Sequence, residues 1–134
     1  MILGIEAIAH ELKWIPPVQV DSEHYVYFIE GSFPEGFRWH QCSADFLDGA
    51  CGRTCVKIGH SKSLKPRLGS LSASFGNHID LRLRLAIKVK NKFEACSLEQ
   101  HLHGRFGELW INSEWFTLGP GLESFLSIAN LGVK

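Results

Sequence analysis

Two apolar rhythms alternate along the chain, one of period two and one near the helical period. Leu81 to Lys90, LRLRLAIKVK, is the cleanest two-residue alternation. Leu81, Leu83, Leu85, Ile87 and Val89 fall on one side of a strand, and Arg82, Arg84, Lys88 and Lys90 on the other. His24 to Glu30, HYVYFIE, mixes β-branched and aromatic residues and predicts a second strand, with Tyr25, Tyr27 and Ile29 opposite Val26 and Phe28. A third apolar run, Cys55-Val56-Lys57-Ile58, breaks at Gly59. Helical spacing is found in Ile2, Ile5, Ile8, Ala9 and Leu12, within residues 1–15, and Pro16-Pro17 stops that stretch. Leu64, Leu68 and Leu71 predict a short helix facing a core, capped by Ser61 or Ser63, with Pro66 and Arg67 in or near its first turn. Phe93 to Phe106 predicts a longer helix whose stripe is Ala95, Leu98, Leu102 and Phe106. Glu99 and His103, four residues apart, share one face of it. Trp110 to Leu118 reads as a turn at Asn112-Ser113 and a short strand with Trp115 and Phe116. Pro120 to Asn130 predicts a last helix, with Leu122, Phe125, Leu126 and Ala129 inward.

These elements make an α+β chain. Its 134 residues suffice for one core. Residues 1–20 are expected as an N-terminal helical extension and 21–134 as the domain proper. A long insertion at about 31–53 interrupts it, unusual for a compact domain. No repeat or low-complexity segment is present. The 14 basic and 14 acidic side chains cancel, so bulk charge does not drive nucleic-acid binding; basic groups would have to segregate onto one face. No apolar run reaches membrane-spanning length and no signal-peptide layout opens the chain, so a reducing cytoplasmic setting is expected. Cys42, Cys51, Cys55 and Cys96 then read as thiols or metal ligands.

The candidate chemistry centres on Thr54 to Leu71, TCVKIGHSKSLKPRLGSL. Lys57 on the strand, His60 on the turn and Arg67 on the helix can meet at one shallow surface and handle a phosphate. The same residues read equally well as a solvated basic rim. Tyr27 reads most simply as a packing residue with its hydroxyl at the surface. Arg82, Arg84, Lys88 and Lys90 form either a nucleic-acid-facing stripe or charged protection of an edge strand. Glu99 could hold a hydrated Mg²⁺ if Lys57 and Arg67 lie opposite it. His40, Cys42, Cys51 and Cys55 supply four ligands for a structural Zn²⁺, but no pair has C-x-x-C spacing, and Cys55 is equally a small buried strand residue.

In this order the pieces resemble the GIY-YIG nuclease superfamily, nearest the bacteriophage-type branch in which the second element reads KIG. Tyr25-Val26-Tyr27 stands at GIY and Lys57-Ile58-Gly59 at YIG. Arg67 stands at the helix arginine, Glu99 at the metal-binding glutamate, and Glu114-Trp115-Phe116 at a late EWF element. The resemblance covers about residues 24–118. It implies a small three-stranded antiparallel sheet flanked by helices, and DNA phosphodiester hydrolysis with one Mg²⁺ or Mn²⁺ on Glu99. In that picture Tyr27, its pKa lowered by Lys57 or the metal, takes a proton from water. Lys57 assists it or contacts the phosphate, and Arg67 offsets phosphoryl charge. His60 relays a proton or touches phosphate, and Asn112 helps position the strand. The expected partner is double-stranded DNA, with a homodimer or a recognition partner supplying specificity. Two alternatives stand beside the endonuclease: a non-catalytic nucleic-acid-binding module of the same fold, and a zinc-stabilised interaction domain built on the cysteine loop.

Overall fold

Strand β2 (His24–Ser32) is paired on both edges, antiparallel to β3 (Thr54–Ser61) and to β4 (Leu81–Val89). A strand with neighbours on both edges and layers on both faces must be apolar on both sides, and Val26, Tyr27, Phe28 and Ile29 are all buried. The computed structural model describes residues 2–4, 24–33, 53–75, 79–112 and 114–131. Within them a six-stranded sheet runs in the order β1-β4-β2-β3-β6-β5, where β1 is Ile2–Gly4, β5 Trp110–Asn112 and β6 Trp115–Thr117. Neighbours among five of the strands are antiparallel, and β1 joins β4 in parallel. The architecture is α+β as expected, but the three-stranded expectation is too small. The helix expected over residues 1–15 is also corrected at its start. Ile2–Gly4 is extended because β4 has an outer edge whose backbone groups need partners. The rest of that stretch lies outside the described residues, as does most of the insertion, including His40, Cys42 and Cys51.

Two helices cover one face of the sheet. Helix α2 (Lys92–Arg105) and helix α3 (Pro120–Leu131) set Ala95, Leu98, Leu102, Phe125 and Leu126 against Val26, Phe28, Val56, Ile58, Leu85 and Ile87. The Asn91 side chain caps α2 by accepting from the Glu94 amide at 2.8 Å, and Glu94 Oε1 accepts from the Lys90 amide at 3.2 Å. The opposite face carries a smaller cluster of Phe33, Cys55, Phe75, Ile79 and Trp115, against which Leu71 and Leu81 pack. Helix α1 (Leu64–Ser74) lies on this side and buries no residue completely; of the three leucines expected to face a core, Leu71 reaches the cluster.

The clean alternation of β4 does not give one apolar face. Phe28 pairs with Leu85 but Ile29 with Leu83, so Arg84 is an extra residue in a bulge. The bulge puts Leu81 with the second cluster while Leu85, Ile87 and Val89 stay with the first. It also turns Arg84 onto Glu30, and onto Glu123 of α3 at 3.4 Å. Among the described residues no helix is long and apolar enough to cross a membrane.

Candidate functional site

The site lies where β3 runs past its neighbour. Strand β6 pairs with β3 only from Cys55 to Lys57, and the Ile58 amide donates to the Glu114 carbonyl at 3.0 Å. Among the described residues no strand borders this edge of β3 beyond that point, β2 lying along the other edge, so side chains from both faces of the sheet can meet around it. Gly59 makes the room. A Cβ there would lie 2.5 Å from Tyr27 Oη and 3.1 Å from Glu114 Oε1.

Tyr27, Lys57 and Arg67 approach from the α1 side. Arg67 Nε donates to Tyr27 Oη at 3.1 Å, and Lys57 Nζ pairs with Glu114 Oε1 at 2.9 Å. The Arg67 residue is otherwise exposed. Glu99 and His103 approach from α2. His103 Nε2 lies 2.9 Å from the Ile58 carbonyl, to which it donates, and 3.6 Å from Glu99 Oε1. His60 Nε2 lies 3.7 Å from Glu99 Oε2 and 3.5 Å from Cys96 Sγ, and its Nδ1 is 3.1 Å from His24 Nε2. Glu99 Oε2 is buried without a hydrogen-bond partner.

The electrostatics divide the two carboxyls. Burial, then a hydrogen bond and repulsion from Glu114, push Glu99 up to about 8, against the pull of Lys57 and Arg67. Burial also acts on Glu114, but its hydrogen bonds with Glu99 and Lys57 outweigh it and hold Glu114 below the usual range. At neutral pH the pair therefore keeps one proton, on the Glu99 side. Burial raises the Tyr27 hydroxyl more than the Arg67 hydrogen bond lowers it. Of the two sources expected to lower Tyr27, Lys57 and a bound metal, Lys57 is committed to Glu114. His60 and His24 are both lowered, chiefly by burial, and stand as neutral imidazoles at pH 7.

Tyr27, Lys57, His60, Arg67 and Glu99 thus converge. The expected basic stripe does not. Arg82 is tied to Glu30 at 2.9 Å and Arg84 is held between Glu30 and Glu123, whereas Lys88 pairs in register with Tyr25 towards the other end of the strand, next to Lys90. Asn112 belongs to β5, and its side chain lies outside the described residues. From the sequence, Glu114 reads only as part of the EWF element and Cys96 only as a thiol or metal ligand, and His24 takes no role. Glu114 enters because Trp115 pairs with Lys57, a register that only the folded sheet reveals. Among the described residues no three His, Cys, Asp or Glu side chains group to hold a metal by themselves. Two carboxyls with one orphaned buried oxygen do suit a hydrated Mg²⁺ or Mn²⁺ that takes its remaining ligands from water and phosphate. Cys55 is a buried thiol that burial pushes up to about 11, and the other three expected zinc ligands, His40, Cys42 and Cys51, lie outside the described residues.

A sequence model of the T5orf172 domain matches residues 24–129, most of the chain. The chain belongs to the T5orf172 domain family. That family is nuclease-like and DNA-binding in type, which makes membership compatible with nucleic-acid interaction. It is a different family from GIY-YIG, and the resemblance drawn from Tyr25-Val26-Tyr27, Lys57-Ile58-Gly59 and Glu114-Trp115-Phe116 is corrected accordingly. A strand tyrosine, a strand-end glycine, a helix arginine and a helix glutamate are too few letters to separate one family from another. No curated protein and no solved structure matches this T5orf172 chain.

Proposed function

We propose that this T5orf172 domain hydrolyses phosphodiester bonds in DNA at the corner around Gly59. The observation that carries the reading is the joining, around one free strand edge, of the Arg67–Tyr27 hydrogen bond with the Glu99, Glu114 and Lys57 cluster. Tyr27 holds Arg67 by Nε and leaves the two terminal nitrogens of the guanidinium to fork a phosphate and offset the charge developing on its oxygens. Lys57 orients Glu114, and the two carboxyls would hold Mg²⁺ or Mn²⁺ once Glu99 gives up its proton. The cation, when bound, supplies Lewis-acid stabilisation of the phosphoryl and leaving oxygens.

Attack by water on phosphorus breaks the bond to the leaving nucleoside oxygen and releases a proton. Tyr27, kept as a phenol by burial, is suited to donate a hydrogen bond rather than to accept that proton. The neutral imidazole of His60, beside Glu99, is the acceptor we assign.

Incubation of supercoiled plasmid with Mg²⁺ tests this. Wild type should nick, and Glu99→Ala or Arg67→Ala should each lower the rate about 100-fold or more. Unchanged nicking by Glu99→Ala would sink the assignment. Binding without nicking by wild type would favour the non-catalytic nucleic-acid-binding module.

A further inference from the structure

The basic strand named by the sequence is divided by its bulge, yet cations do gather elsewhere. Lys62 follows β3 by one residue, and Lys92 opens α2; both are exposed. Among the described residues neither pairs with a carboxylate. Lys62 lies two residues beyond His60, and Lys92 lies one helical turn before Cys96, whose Sγ is 3.5 Å from His60 Nε2. Both lysines therefore stand by the His24–His60 contact of 3.1 Å, and the charge of each lowers His24. Beside Lys92 stands Phe93, 69% exposed, the most exposed large apolar side chain among the described residues. Arg82 and Arg84 are remote: the register places His24 at Val89 and Glu30 at Arg82, about 20 Å apart along the strand.

We infer that Lys62, Lys92 and Phe93 form a binding surface for an unpaired nucleic-acid strand that leads to the Arg67–Tyr27 corner. The inference rests on the proposed activity for its direction, since the strand must end at the scissile phosphate. Lysines without carboxylate partners suit a polyanion, and they neutralise backbone phosphates without regard to sequence. An exposed ring among them suits a base, because every base offers a face for stacking. A continuous duplex would present its backbone to the lysines but no free base to Phe93. The substrate class is therefore DNA with unpaired nucleotides beside the cut, such as a flap or a single strand.

Fluorescence anisotropy in EDTA tests the surface apart from cleavage, using a labelled duplex, its single strand and the duplex with a short flap. Wild type should prefer the flap and the single strand. Phe93→Ala should weaken those two about 5- to 150-fold and leave the duplex unchanged. The double variant Lys62→Ala/Lys92→Ala should weaken all three and reduce the slope of log affinity against log salt by ~1.5. Arg82→Ala, at the other end of the sheet, should bind as wild type. Thermal melts confirm that each variant is folded. Wild-type affinity in the Phe93 and lysine variants overturns the inference and leaves the nicking assay to judge the activity. Equal weakening of duplex and flap by Phe93→Ala overturns the stacking role. Intact binding without any cutting of the plasmid or of the flap substrate in Mg²⁺ overturns the activity and keeps the surface.

Discussion

Gly59 has no side chain, and this is what admits the Tyr27 hydroxyl and a Glu114 oxygen to the same few ångströms. The sequence marked it as the end of an apolar run, which is a weaker role than the one it has. A methyl group here meets a ring held at 0% exposure, so the phenol has nowhere to retreat. Gly59→Ala should therefore destabilise the domain by about 1–3 kcal/mol. It should also slow nicking roughly 100-fold by parting Tyr27 from Arg67, since small displacements at a reacting centre are costly. Denaturant unfolding and the plasmid assay check the two effects, and an alanine variant that melts and nicks as wild type contradicts this account. Tyr27 itself was legible as a strand tyrosine. Its raised pKa was not, because burial depends on layers contributed from distant parts of the chain.

Among the elements, β4 teaches most. Its alternation was plain in the sequence, and the strand formed where the alternation predicts. The bulge was not legible, since it depends on register with β2, and it alone decides where Arg84 points. A side chain that reads as solvent-facing became a tie between the sheet and α3, 15% exposed, with Glu30 as its partner at 12%. Arg84→Ala would leave Glu30 half-satisfied, with Arg82 alone, and should cost about 1–3 kcal/mol. Affinity for DNA should not change. Chemical denaturation beside anisotropy separates the outcomes: a stable variant with weakened binding would restore the basic-stripe reading. Helix α2 was the better-read element. Its stripe, and the approach of Glu99 to His103, follow from spacing alone, and its start differs by one residue.

At the scale of the molecule, pH should act through the carboxyl pair. Glu99 holds its proton up to about 8 in the folded chain, against 4.5 as its ordinary value. Between these points the folded state binds a proton that the unfolded state has released, so stability falls as pH rises. The contribution is complete below 4.5 and is lost as pH passes through about 8. Glu99→Gln removes the titration. In EDTA, the Tm of wild type relative to this variant should decline from about pH 5 to about pH 9. Parallel curves would mean that Glu99 ionises normally. The α+β class and the membership of the main helices were readable from periodicity. The strand order, the extra strands and the meeting of two faces were not, because they are properties of pairing between segments far apart in sequence.

The free edge of β3 has one more consequence. Arg67 is delivered by a helix on one side of the sheet and Glu99 by a helix on the other, so neither layer can assemble the constellation alone. On the proposed hydrolysis, a copy with one helix undocked would be inert. The architecture would then work as a safety interlock, withholding the chemistry until the last layer has closed.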